Sequence, residues 1–92
     1  MTYKVLQQSR FRRQIKKLNP NIKVDVDTAV MNIASSPTIG ERKKGDLSDL
    51  LVYKFYSQNQ LYLLGYTIDE GIHLIYLEAI SSHQHFYRDI KK

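Results

Sequence analysis

Near the C-terminus, two imidazoles, a phenol and a guanidinium crowd into one short stretch: His83, His85, Tyr87 and Arg88. They follow an apolar run, Ile72 to Ile80, that has the composition of a strand. Together these groups suit work on a phosphodiester. Histidine transfers protons near neutral pH, arginine holds phosphate oxygens bidentately, and tyrosine stacks on a base. Each position also has a plainer use. Ser81 and Ser82 are N-cap types, Gln84 stands three residues after Ser81 as in a capping box, and Phe86 can dock a short helix. Four such groups side by side outweigh the plainer reading, and the candidate site is placed here. His73, His83 and His85 have no metal-ligand spacing, and there is no cysteine. The expected chemistry uses no metal and no other cofactor.

The elements that must position these groups are few. Ninety-two residues allow one small domain, residues 1–92, with room for a single two-layer core. With 42% hydrophobic and 25% charged residues the composition is that of a folded chain. The N-terminus has no signal-peptide pattern, and the apolar runs are far shorter than the ~20 residues that span a bilayer. The expectation is a cytoplasmic protein with no membrane partner. A net charge of +5 calls for an acidic partner, nucleic acid or protein. The charge is clustered: Lys4, Arg10, Arg12, Arg13, Lys16, Lys17 and Lys23 precede the first acidic residue, and Arg42, Lys43 and Lys44 form a second group.

Taken in order, Thr2 to Gln8 alternates as a short strand, with Tyr3, Val5 and Gln7 on one face. Ser9 is the expected N-cap of a basic amphipathic helix. Phe11, Ile15 and Leu18 form its apolar stripe, and Arg12, Arg13, Lys16 and Lys17 its opposite face. Asn19 and Pro20 end that helix and start a second, which runs to about Ser35 with Ile22, Val26, Val30 and Ile33 inward. Thr38 to Leu50 reads as a loop. Leu51 to Ser57, Leu61 to Ile68 and Ile72 to Ile80 read as a three-stranded meander, turned at Gln58-Asn59-Gln60 and Asp69-Glu70-Gly71. The fold class is α+β, β-α-α-β-β-β: a two-helix hairpin on a small antiparallel sheet, with a short C-terminal helix. The helices cover one sheet face, leaving the face of Lys54 open.

Three features now combine: the element order, the stretch Lys43-Lys-Gly-Asp-Leu-Ser-Asp-Leu50, and the ending Ser81-Ser-His-Gln-His-Phe-Tyr-Arg-Asp-Ile90. In these the chain resembles the RelE/ParE superfamily of bacterial toxins, in its RelE/YafQ-like branch. The resemblance implies a type II toxin with a RelE-like fold. It further implies a ribosome-dependent messenger RNA endoribonuclease that inhibits translation and is silenced in a hetero-oligomer with a cognate antitoxin. His83 falls where the YafQ-like branch keeps a catalytic histidine, Tyr87 where an aromatic residue closes the site, and Lys54 where relatives carry Lys, Arg or His. Leu63 departs from the pattern, standing where the family frequently has an arginine. Arg42, Lys43, Lys44 or Arg88 is left to supply phosphate binding, with His85 beside them. The superfamily also holds ParE-type inhibitors of DNA gyrase on the same fold, which is the alternative reading.

Cleavage of RNA needs a base for the 2′-hydroxyl proton, an acid for the leaving 5′ oxygen and cations around the phosphorane. On this reading His83 transfers protons, Lys54 stabilises charge and Tyr87 walls the site. Glu78 is a spare carboxylate, assigned to structure. The basic helix with Arg12, Arg13, Lys16 and Lys17 is expected to bind the ribosome, since it offers charge away from the histidines.

Overall fold

The computed structural model describes residues 2–43 and 49–90. In chain order it forms β1 (Lys4–Gln7), α1 (Ser9–Lys16), α2 (Pro20–Ser35), a 3-10 turn (Pro37–Ile39), β2 (Glu41–Arg42), β3 (Leu51–Ser57), β4 (Gln60–Asp69), β5 (Leu74–Ser82) and α3 (His83–Ile90). The strands make one sheet in the order β1-β5-β4-β3-β2. This is the expected α+β architecture, with two refinements. β1 runs parallel to β5, with Lys4 beside Leu74 and Gln7 beside Leu77, so the sheet is mixed. A parallel neighbour needs a long crossover, and both helices lie on the path between these strands. The second refinement is β2, which pairs antiparallel with Leu51 and Val52 inside the stretch expected to be loop. Two residues are too few to show an alternating pattern.

Local chemistry explains most boundaries. The Asn19 side chain accepts from the Ile22 N–H at 3.0 Å, and Pro20 follows at the first helical position, as the sequence predicts. Ser9 does not cap α1. Gln8 takes the N-cap position without a side-chain bond, and Ser9 is the first helical residue. The β3–β4 turn places Gln58 and Asn59 at φ 53° and 63°, the left-handed pair that suits a tight hairpin. The β4–β5 turn is longer than expected. It extends to His73, at φ 53°, and β5 starts at Leu74 rather than Ile72. Ser81 and Ser82 likewise belong to β5 instead of capping α3, and the Ser81 hydroxyl donates to the Ser82 carbonyl at 3.4 Å.

Two apolar layers sandwich the sheet. On one side α1 lies over β5 and α2 over β3, and Phe11, Ile22, Val26 and Ile33 pack on Leu51, Tyr62, Leu64, Ile75 and Leu77. The Gln14 side chain accepts from the Ile80 N–H at 2.8 Å, which fixes α1 to β5. Ser57, almost fully buried at the end of β3, donates to Asp25 of α2 at 2.6 Å. On the other side Phe86 of α3 sits on Leu50, Val52, Leu63 and Ala79. The face expected to stay open is therefore partly roofed by the C-terminal helix.

That roof depends on a missing side chain. A Cβ at Gly65 would lie 2.8 Å from Phe86 Cζ and 3.2 Å from Leu50 Cδ1, so the ring rests on bare backbone. The sheet is also irregular there, with a register shift between Gly65 and Tyr66 that leaves Glu78 unpaired in the ladder. Tyr66, fully buried on the opposite face, donates its hydroxyl to the Pro37 carbonyl at 2.6 Å and accepts from the Gly40 N–H at 2.9 Å. Burial pushes this phenol above its ordinary pKa, with the Gly40 N–H acting in the opposite sense. The bonds hold the chain where it enters β2.

Two outcomes follow for stability. Tyr66→Phe is expected to lower unfolding free energy by about 1–3 kcal/mol in urea titration, because a carbonyl and an N–H lose a shared partner. Gly65→Ala overpacks the seat of Phe86, a strain of about 1–3 kcal/mol. Amide exchange is expected to accelerate across residues 83–88 while β3 to β5 stay protected. Unchanged exchange in α3 would show that Phe86 does not depend on the glycine.

Candidate functional site

The strand registers place the site's floor. Lys54 lies opposite Leu63, and Leu63 lies opposite Ser81, so the three form one row across β3, β4 and β5. Paired residues share a face, and two strand spacings put Lys54 about 10 Å from Ser81. His83 follows Ser81 by two residues and opens α3 as an exposed side chain. The α3 side of the sheet thus holds both Lys54 and the start of the histidine cluster.

The helix then divides that cluster. At 3.6 residues per turn, His83 and Tyr87 stand one above the other, as do His85 and Arg88, on different faces. Tyr87 packs edge-on to Phe86, with ring centroids 5.1 Å apart at 87°. The Lys43 ammonium lies 5.4 Å from the Tyr87 ring centroid. Glu41 joins the two lysines: one oxygen is 3.7 Å from Lys43 Nζ and the other 3.8 Å from Lys54 Nζ. Hydrogen bonding to the Tyr87 side chain, partly offset by desolvation and aided by Glu41, raises the Lys43 pKa above the ordinary lysine value. Lys43, Lys54, Glu41 and Tyr87 therefore form one connected group beside the start of α3.

His85 and Arg88 face elsewhere. Arg88 Nη2 donates to His85 Nδ1 at 2.6 Å, which leaves the ring hydrogen on Nε2. His85 borders a cleft of about 340 Å³ with Gln14, Lys17 and Leu18 at the end of α1 and Tyr62, Ser81 and Ser82 on the sheet. Arg42 is separated too. It pairs with Leu51, whose side chain faces α1 and α2, so it points away from Lys43 and Lys54. Arg42 lines a different cleft with Thr38, Asp49, Thr67 and Glu70. Lys44 lies outside the described residues. Arg12, Arg13, Lys16 and Lys17 are all exposed on α1, on the far side of the sheet from Lys54. Of the residues singled out by sequence, the contacts join Tyr87, Lys43 and, through Glu41, Lys54, while His83 stands one helical turn before Tyr87.

The structure also explains Leu63 and Glu78. Leu63 is fully buried beneath Phe86, so the position that is often arginine in relatives is part of the apolar floor here. Glu78 accepts from the Thr67 hydroxyl at 2.8 Å. His73, in the β4–β5 turn, packs against Tyr3 with the rings tilted at 45°, at the opposite end of β5 from His83. Among the described residues no group of side chains is arranged to hold a metal ion. Sequence reasoning missed Glu41, because the two-residue strand that aims it cannot be recognised from its pattern. It also missed Tyr56, although alternation along β3 puts that residue on the face of Lys54.

No helix among the described residues is long and apolar enough to cross a membrane. Residues 5–91 match the model of the ParE-like toxin of type II bacterial toxin–antitoxin systems. By sequence the chain has no significant match among curated proteins. By structure it is similar to a RelBE toxin–antitoxin complex of Mycobacterium tuberculosis, with TM-score 0.81, 20% identity and coverage of 90% of this chain and 100% of that one. It is also similar to the isolated RelE toxin of E. coli, with TM-score 0.72, 15% identity and coverage of 97% and 96%. The intact RelBE complex of E. coli gives TM-score 0.71 at 18% identity, covering 86% and 94%. These likenesses establish a RelE-like fold. The family match, which runs through the sheet and its roofing helix, establishes the rest: this chain belongs to the ParE-like toxins of type II bacterial toxin–antitoxin systems.

Proposed function

We propose that the chain is an endoribonuclease toxin that cuts messenger RNA on the ribosome, in the cytoplasm, and is held inactive by a cognate antitoxin in a hetero-oligomer. The observation that carries this reading is the group of Tyr87, Lys43, Glu41 and Lys54, with His83 one helical turn before Tyr87 on α3. A phosphate seated there would meet two ammonium groups, an imidazole and a phenol. The 2′-oxygen attacks phosphorus as its proton leaves, the P–O5′ bond breaks, and the 5′ oxygen takes up a proton. His83 transfers protons in this scheme. Lys54 and Lys43 stabilise the phosphorane, and Tyr87 closes the wall and orients Lys43. Glu41 neutralises the lysines until phosphate arrives. These groups supply proton transfer and charge from the chain itself.

His85, Arg88 and Lys17 then hold the strand away from the scissile bond, and Arg12, Arg13 and Lys16 extend that surface toward ribosomal RNA. Antitoxin segments accompany toxins in the M. tuberculosis and E. coli complexes. An acidic antitoxin segment of that kind suits the +5 charge of this chain.

One observation favours a second reading. Leu63 leaves the floor of the site without an arginine, and the matched family is ParE-like, so a non-enzymatic gyrase inhibitor is the competing function. The two separate cleanly in vitro. Purified toxin should halt a translation extract and give discrete primer-extension stops on the message, while leaving gyrase supercoiling untouched. The opposite pattern would establish the gyrase reading.

His83→Ala is expected to lower the cleavage rate by about 10²–10⁴-fold with the fold intact by circular dichroism. A variant that cleaves at the parent rate would remove His83 from the mechanism. Reversing Arg12, Arg13, Lys16 and Lys17 to Glu should weaken ribosome co-sedimentation and flatten its salt dependence. Identical binding at low and high salt would discard the ribosome role of α1.

A further inference from the structure

Most of the tyrosines in this chain are occupied. Tyr66 is bonded to Pro37 and Gly40, the Tyr53 hydroxyl accepts from Asn32, and Tyr62 stacks within the core at 6.0 Å from Phe55. Tyr3 packs on His73 and Tyr87 on Phe86. Tyr56 differs. It is 74% exposed, the one aromatic among the large apolar side chains left in solvent in the described residues. Its hydroxyl has no hydrogen-bond partner among those residues. A tyrosine ring in water covers nothing and gains nothing from its place in the strand.

Its position is specific. Tyr56 lies two residues beyond Lys54 on β3, so the side chains share a face about 6.6 Å apart. Tyr56 pairs across the ladder with Leu61, which packs against the cluster under Phe86, so its Cβ is on the α3 side. At the strand's edge the residue also borders a cleft of about 130 Å³ with Asp25, Thr28 and Asn32 of α2. β2 reaches only Leu51 and Val52, so no strand covers the edge of β3 beside Tyr56 among the described residues. An exposed ring next to a lysine on an uncovered strand can accept a base face while the lysine meets the adjoining phosphate. Stacking of this kind tolerates any base yet favours those that stack best.

We propose that Tyr56 is a base-stacking platform that seats the nucleotide next to the phosphate held at Lys54, and so helps set which sites in single-stranded RNA are cut. This rests on the ribonuclease reading above. Lys54 and Lys43 then grip charge, and Tyr56 fixes register.

The test compares parent, Tyr56→Ala, Tyr56→Phe and Tyr56→Trp on ribosomes programmed with a message, measuring kcat and KM and mapping cut sites by primer extension. Tyr56→Ala should lower kcat/KM by roughly 5- to 150-fold, chiefly through KM. It should also flatten the base preference beside the cut. Phe and Trp should keep kcat/KM within about threefold, because the ring and not the hydroxyl stacks. Tyr56→Ala with parent kinetics and cut sites, or Tyr56→Phe as impaired as Tyr56→Ala, would overturn the platform while leaving the ribonuclease standing. A parent protein that cuts no message would overturn both.

Discussion

The contact between the Phe86 ring and the bare backbone of Gly65 is what the functional side of this protein depends on. α3 is eight residues long and follows β5 without an intervening loop. A helix that short has no stability of its own in water. It is helical because Phe86 is buried against Leu50, Val52, Leu63 and Ala79, a contact of the kind that costs about 3–5 kcal/mol when the ring is cut back to alanine. Gly65 lets the ring come close, and the bulge beside it bends β5 away from strict pairing. With Phe86 fixed, the rotation of α3 is fixed. His83 and Tyr87 then fall on one side and His85 and Arg88 on another by helical geometry alone.

The charges around this contact are arranged for exchange more than for strength. Glu41 meets Lys43 and Lys54 at 3.7 and 3.8 Å, and Lys54 and Glu41 are half exposed or more. Exposed pairs of this sort are worth only about 0–1 kcal/mol. An anion with more charge and more acceptor oxygens than one carboxylate would displace Glu41 at little cost. The carboxylate offsets the repulsion between the two lysines. Tyr87 adds direction, because its ring and hydroxyl hold Lys43 toward α3.

Much of this was legible in the sequence, and the failures share a physical cause. Asn19-Pro20 marked the start of α2 to the residue, since a cap and a fixed φ act through neighbours only. The stripe of Phe11 and Ile15 marked α1 for the same reason, though the helix ends at Lys16 and Leu18 lies beyond its cap. Local rules misjudged Ser9 and Ser81, whose residue types suit a cap. At both positions the strand pairing continues further, β1 into Gln8 through the Leu77 carbonyl and β5 through Ser82. Long-range pairing overrode local propensity. β2 was invisible because its two residues pair with partners distant in sequence on β3, with the Tyr66 hydroxyl at Gly40 beside them. Arg42 and Lys43 looked equivalent as neighbours in a basic triplet, yet a strand sends adjacent side chains to opposite faces.

The same division leaves the candidate residues on opposite sides of the sheet. α1 lies on the far face from Lys54, and nothing in the sequence connects the two surfaces. The connection is made at the end of β5. There Lys17, the C-cap of α1, and His85 of α3 border one cleft, with Gln14 tied to the Ile80 N–H beneath them. Arg88 is bound to His85, so the basic face of α1 continues through Lys17, His85 and Arg88 onto the helix that carries His83 and Tyr87. The basic side chains of α1 and α3 thereby meet at the end of the sheet. β5 must end where it does for this to hold. One more residue of strand would reverse the face on which the chain leaves β5 and unseat Phe86.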